Sequence, residues 1–301
     1  MSSTAPRLLA CSAALALVLT GCGTAGAEDG GRLSVVAAFY PLQWTAQRVG
    51  GDLVHVDSLT PPGAEPHDLE LTPKDVGAMV DADLVVHLAG FQPAIDEAAA
   101  AEAADHSWDA GTAADLVPVS DASGKDGDGL DPHFWLDPTR LAAVGDALAE
   151  RLGDLDPDHA ATYEKNAADL RDDLEALDAE IEDDLADCAV DTLVASHDAF
   201  GYLGDRYGFD VVGINGLSPS QEPDPAALAE ITSLVEERGI TTVYTETLVD
   251  PSVAETVANE AGVDTAVLDP LEGLTDKSAG KDYLEVMRAD ASTLRKGQSC
   301  S

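Results

Sequence analysis

Residues 157–186 read PDHAATYEKNAADLRDDLEALDAEIEDDLA. Leu170, Leu174, Leu177, Ile181 and Leu185 recur at steps of four, three, four and four, the spacing of one face of an α-helix. Arg171, Asp172, Asp173, Glu175, Glu180, Glu182 and Asp183 put charge on the other face. At 1.5 Å per residue, thirty residues make a rod of about 45 Å. A coiled-coil segment would carry a similar pattern. The surrounding chain favours a helix that buttresses two halves.

On both sides of this helix the sequence alternates between two periods. Apolar, β-like runs lie at 33–40, 54–59 and 83–88 before it, and at 192–196, 211–214, 241–245 and 265–268 after it. Helical patterns at 41–50, 73–80, 138–152, 225–238 and 251–261 separate most of them, several opened by a proline whose missing N–H costs little there. Strand alternating with helix predicts parallel sheets with crossover helices. The expected fold class is therefore α/β: two parallel-sheet lobes joined by one long rigid helix. Its parts are an N-terminal lobe at 33–153, the linking helix at 154–187 and a C-terminal lobe at 188–301.

The charge is lopsided. Sixteen Lys and Arg stand against 57 Asp and Glu in 301 residues, a formal net charge of −41. Such a surface repels nucleic-acid phosphates and anionic lipid headgroups, so neither is expected as a partner. Cations are the small partners this field attracts.

The first residues read as an address. Arg7 precedes the apolar run 8–19, which ends in Leu19-Thr20-Gly21-Cys22. A short positive region and an apolar region of this length make a signal peptide, expected at 1–21. The ending resembles the bacterial lipobox, whose cysteine takes a lipid, so Cys22 is expected to be lipidated and 22–32 to form a tether. The expected location is the outer face of the cytoplasmic membrane, touching the membrane only through that anchor. Cys188 and Cys300 then remain as a pair in an oxidising compartment, where a disulfide is expected.

The seven histidines form no HExxH or other short zinc signature, and the chain has neither GxSxG nor a Walker loop. Context separates three of them. His67 lies in the turn-rich stretch 61–68 after a strand, His133 in DPHFWLDP at 131–138 just before a helix, and His197 directly after the apolar strand 192–196. Asp269, in VLDPL at 267–271, follows the last strand. Loops at the carboxyl ends of parallel strands are where open α/β sheets hold ligands. His55 and His87 read as structural histidines within strands, and His106 and His159 as solvated. The acidic stretch SDASGKDGDGLD at 120–131 reads as a surface loop without a full calcium-loop spacing.

Taken in order, GAEPHDLELTPKDV at 63–76, DPHFWLDP at 131–138, SHDAFGYL at 196–203, SQEPDP at 220–225, VYTE at 243–246 and LDPL at 268–271 resemble the metal-binding solute-binding lipoproteins of bacterial ABC uptake systems, the zinc/manganese cluster that includes ZnuA-like proteins. The resemblance spans nearly all of the mature chain. It implies a metal buried between the lobes, held by His67 and His133 from the first and by His197 and Asp269 from the second. Glu246 is expected to orient an imidazole. Glu65, beside His67, is the alternative fourth ligand, and water is another.

Three imidazoles and a carboxylate suit Zn²⁺ as cargo, with Mn²⁺ second, because manganese-type relatives have a carboxylate where this chain has His197. Many zinc relatives carry a His-rich loop before the second histidine, but 120–131 contains none. The implied function is extracytoplasmic capture of Zn²⁺ and delivery to an ABC permease, without catalysis and by a monomer. Two alternatives stand beside it: a secreted zinc-dependent hydrolase, and a surface adhesin on the same scaffold.

Overall fold

In the computed structural model, which describes residues 1–2, 31–120, 126–221 and 223–301, the first half runs β1 (Leu33–Ala37), α1 (Tyr40–Gly50), β2 (Val54–Ser58), α2 (Pro73–Asp81), β3 (Leu84–His87), α3 (Pro93–Glu102), β4 (Ser107–Asp109) and α4 (Gly111–Ala114). A short antiparallel hairpin of β5 (Pro118–Ser120) and β6 (Asp126–Leu130) follows, then α5 (Pro138–Leu155). The four long-range strands form a parallel sheet of order β2-β1-β3-β4. Residues 3–21 of the expected signal segment and Cys22 lie outside the described residues, as do residues 121–125 of the acidic stretch. The expectation of a loop across 120–131 is corrected at its end, where Asp126–Leu130 pairs as a strand.

The long helix is α6 (Ala160–Leu185), preceded by one 3₁₀ turn at Pro157–His159. Leu170, Leu174, Leu177 and Ile181 are buried on it, and the helix packs against α1 and α5. Burying such a side chain is worth roughly 1.5–3 kcal/mol each, against about 0–1 kcal/mol for an exposed ion pair such as Arg48–Asp173. The apolar face therefore holds the rod in place.

The second half runs β7 (Thr192–Ala195), α7 (Gly201–Tyr207), β8 (Asp210–Gly213), α8 (Pro225–Arg238), β9 (Thr242–Thr245), α9 (Ser252–Ala261), β10 (Asp264–Val267) and α10 (Tyr283–Gly297). Its strands form a second parallel sheet, β10-β9-β7-β8. Local chemistry starts the helices. Pro225 follows Asp224, whose carboxylate accepts from the N–H groups of Ala226 and Ala227. Thr72 and Asp75 form a reciprocal capping box on α2. The amphipathic α10, missing from the sequence reading, packs on α6 and buries Val286, Met287 and Leu294.

Arg32–Ser301 make one compact unit. One apolar core runs through both halves, from Val35 and Phe39 to Tyr244, Leu268 and Tyr283. A smaller cluster lies between the second sheet and α8 and α9. Hydrogen bonds cross the boundary: Trp135 Nε1 donates to the Pro270 carbonyl at 2.8 Å, and the Tyr283 hydroxyl to the Trp135 carbonyl at 2.5 Å. Cys188 and Cys300 form a disulfide that ties the chain end to the start of the second half. No helix among the described residues is long and apolar enough to cross a membrane.

Candidate metal centre

His197 follows β7, and Glu246 follows β9, the strand beside it. The chain leaves β7 toward β8 on one side and returns to β9 on the other, so the two residues flank the point where strand order reverses. That is the ligand position of open α/β sheets. Glu246 Oε1 accepts from the His197 backbone N–H at 3.0 Å, and Oε2 lies 2.7 Å from Nδ1. Gly213 lets this loop sit tight on β8, since a Cβ there would come within 2.6 Å of the Asp198 nitrogen.

His133 sits just after the hairpin. Its backbone N–H and Nδ1 both meet Asp131 Oδ1, at 3.0 and 2.8 Å. His67 comes from the irregular chain between β2 and α2. Its backbone N–H is held by Glu65 Oε1 at 3.0 Å, and its ring packs edge-on against Phe91 with centroids 4.6 Å apart. Gln92 fixes this stretch by donating to the Pro66 carbonyl at 3.1 Å.

The three rings turn their Nε2 atoms to one point. That point is Glu272 Oε1, 3.1 Å from His67, 3.2 Å from His133 and 3.3 Å from His197. The four side chains place donor atoms within 4.8 Å of one another, the one such group among the described residues. His133 and His197 are fully buried, yet their Nε2 atoms have no hydrogen-bond partner. A buried polar nitrogen left without a partner marks a place where something else binds. With Asp131 and Glu246 accepting from Nδ1–H, each ring keeps its Nε2 lone pair for the centre.

The carboxylates around the cluster favour the protonated form of two of its imidazoles. Burial works against charge on His133, but Asp131, which meets Nδ1, and the nearby Glu272 carboxylate outweigh it and raise its pKa. The same opposition, with Glu246 and Glu272 prevailing over burial, raises His197 further. Burial pushes Glu272 up, and the contacts from His133, His197 and His67 overturn that and hold it well below the usual carboxylate range. A metal must displace these protons to bind.

The structure brings His67, His133 and His197 together. It corrects the expectation of Asp269 as fourth donor: Glu272, three residues later, stands in the cluster. Asp269 is engaged elsewhere, its Oδ1 accepting from the Leu271 N–H at 2.9 Å and its Oδ2 from Ser278 at 2.9 Å and Thr247 at 3.2 Å. Glu65 Oε1 lies 4.0 Å from His67 Nε2, and its two oxygens are spent on the backbone N–H groups of His67 and Asp68. Sequence reasoning also passed over Asp131, although it sits in the same DPH stretch as His133. A cavity of about 610 Å³, lined by Phe91, Leu130, Pro132 and Leu217 among others, borders His67.

Residues 35–297 match the family model described as the zinc-uptake complex component A, periplasmic (ZnuA). The chain belongs to the ZnuA family. It is 32% identical over 301 residues to the high-affinity zinc uptake system protein ZnuA of Bacillus subtilis, covering 94% of each chain. It is 33% identical over 296 residues to the zinc-binding lipoprotein AdcA of Streptococcus pneumoniae, and spans 58% of that longer relative. Among solved structures of the family's fold, the laminin-binding protein Lmb of Streptococcus agalactiae, described as bifunctional in adhesion and metal transport, superposes with a TM-score of 0.78 at 32% identity. That match covers 88% of this chain and 99% of Lmb. A Zn(II)-bound mutant variant of AdcAII from Streptococcus pneumoniae superposes at 0.79 with 29% identity, covering 89% of this chain and 99% of its own.

Proposed function

We propose that this chain captures a zinc ion outside the cytoplasmic membrane and delivers it to the permease of an ABC uptake system, anchored through a lipid on Cys22. The ion is cargo, held by Nε2 of His67, His133 and His197 and by the Glu272 carboxylate. The observation that carries this reading is the convergence of three Nε2 atoms, two of them on fully buried imidazoles, on one carboxylate oxygen. Three imidazoles and one oxygen suit a tetrahedral Zn²⁺, with Zn–N near 2.0–2.1 Å. Mn²⁺ prefers more oxygen donors. Membership of the ZnuA family and the zinc-binding descriptions of its relatives support the same cargo.

A hydrolase would need an open coordination position and a free general base. Glu272 fills the fourth direction, and Glu246 is spent on holding His197. Both features favour capture over catalysis. Adhesion is a second reading, favoured by the likeness to Lmb, and binding of the chain to immobilised laminin tests it.

Calorimetric titration of the metal-stripped protein tests the proposal. The expected result is one tight Zn²⁺ per chain, much weaker binding of Mn²⁺, and severe loss in His197→Ala. Zinc binding that ignores His197 would refute the site.

A further inference from the structure

Glu272 reaches the centre from an unusual piece of backbone. Leu271, the residue before it, is fully buried and has φ of +58°, in the left-handed region that a leucine avoids. Such a conformation is unfavourable for a leucine and persists only where the surroundings over-determine it. Asp269 supplies much of that determination. Its Oδ1 accepts the Leu271 N–H, and its Oδ2 receives the hydroxyls of Ser278 and Thr247, tying the turn to the segments on either side. Its own N–H is held by Asp290 of α10 at 3.1 Å. From the other half, Trp135 fixes the Pro270 carbonyl.

We infer that Asp269 is a positioning residue for the fourth zinc donor: it locks the left-handed turn at Leu271 and so holds Glu272 at the convergence point of the three imidazoles before metal arrives. The inference rests on the zinc-capture reading above. Its physical content is preorganisation. A carboxylate on a free loop would have to be ordered by the metal, and that ordering would be subtracted from affinity. Asp269 is not a member of the cluster, and its hydrogen bonds act on the turn.

A double-mutant cycle on the full chain separates this role from a merely structural one. Zinc affinity would be measured by competition with a chromophoric chelator for wild type, Asp269→Ala, Glu272→Ala and the double variant, with circular dichroism confirming the fold. Asp269→Ala is expected to weaken zinc by about 10–100-fold, the range for residues that orient ligands. In the Glu272→Ala background the same change is expected to do almost nothing, because there is no donor left to position. Asp269→Asn, whose Oδ1 still accepts the Leu271 N–H, is expected to recover most of the loss.

If Asp269→Ala does not fold, Ser278→Ala with Thr247→Val removes the two hydroxyl anchors of Asp269 instead. A smaller loss is then expected, again absent without Glu272. Multiplying effects of Asp269→Ala and Glu272→Ala, or of the hydroxyl pair and Glu272→Ala, would overturn the inference. So would unchanged affinity in a folded Asp269→Ala. Unchanged affinity in Glu272→Ala itself would instead overturn the assignment of the fourth ligand, and the two failures are thereby distinguished.

Discussion

The two sheets share one strand order, β2-β1-β3-β4 and β8-β7-β9-β10, yet they furnish their reversal points with opposite chemistry. In the first half the chain after β1 and β3 carries Phe39 and Phe91, packed 4.7 Å apart and backed by Trp135. That aromatic wall supports the rings of His67 and His133 from behind. In the second half the ends of β7 and β9 carry His197 and Glu246, and Glu272 and Asp269 follow β10. One wall is apolar and excludes water. The other is charged and sets the proton position on His197, as Asp131 does on His133. Metal capture needs both, because a carboxylate acts most strongly on an imidazole where water does not screen it.

Substitutions on the two walls should therefore fail differently. The largest effect is expected from Phe91→Ala, which opens a cavity behind His67 and should cost about 3–5 kcal/mol of stability, read in chemical denaturation with and without zinc. On the charged side, His197→Ala should leave the fold intact and weaken zinc by more than the roughly 100-fold that marks the upper range for residues that only orient a ligand. Glu246→Gln should fall within about 10–100-fold, because the ring stays but loses its fixed tautomer. Equal losses of stability in Phe91→Ala and Glu246→Gln would erase the distinction between the walls.

The pH dependence sharpens the comparison further. The folded pKa values of His133 and His197 are raised, so their contribution to metal-free stability is full below the unfolded value of about 6.5 and is lost as pH rises through the folded values. Glu272 has a lowered pKa, so its contribution is present above the ordinary carboxylate range and is lost as pH falls through its folded value. Metal-free protein should thus melt highest in mildly acidic solution and lower as pH rises. Zinc affinity should run the other way, falling as pH drops, because bound zinc requires neutral imidazoles. Melting curves and zinc titrations across pH 5–9 check both slopes, and parallel slopes would contradict the account.

Much of this was legible in the residues. The 3.6-residue pattern of 170–185 marks α6, and the loop contexts of His67, His133 and His197 set them apart from the other four histidines. The fourth donor was not legible, for a physical reason. Asp269 ends the strand pattern as a ligand would, whereas Glu272 enters the cluster only because buried Leu271 adopts a left-handed turn, and no periodicity encodes that in a leucine. Asp131 was hidden by its place two residues before His133, where it reads as an ordinary turn aspartate. β4 is three residues long and leaves no usable alternation, and α10 lies after the last strand, outside the alternation of strand and helix that organises the rest.

Zinc is expected where the three Nε2 atoms and Glu272 converge. Anomalous diffraction at the zinc edge from crystals of the zinc-loaded protein tests it most directly. One strong peak per chain is expected, at about 2.0–2.1 Å from Nε2 of His67, His133 and His197 and about 2.0–2.2 Å from a Glu272 oxygen. A peak elsewhere, or one bound by Asp269 with Glu272 turned away, would contradict it.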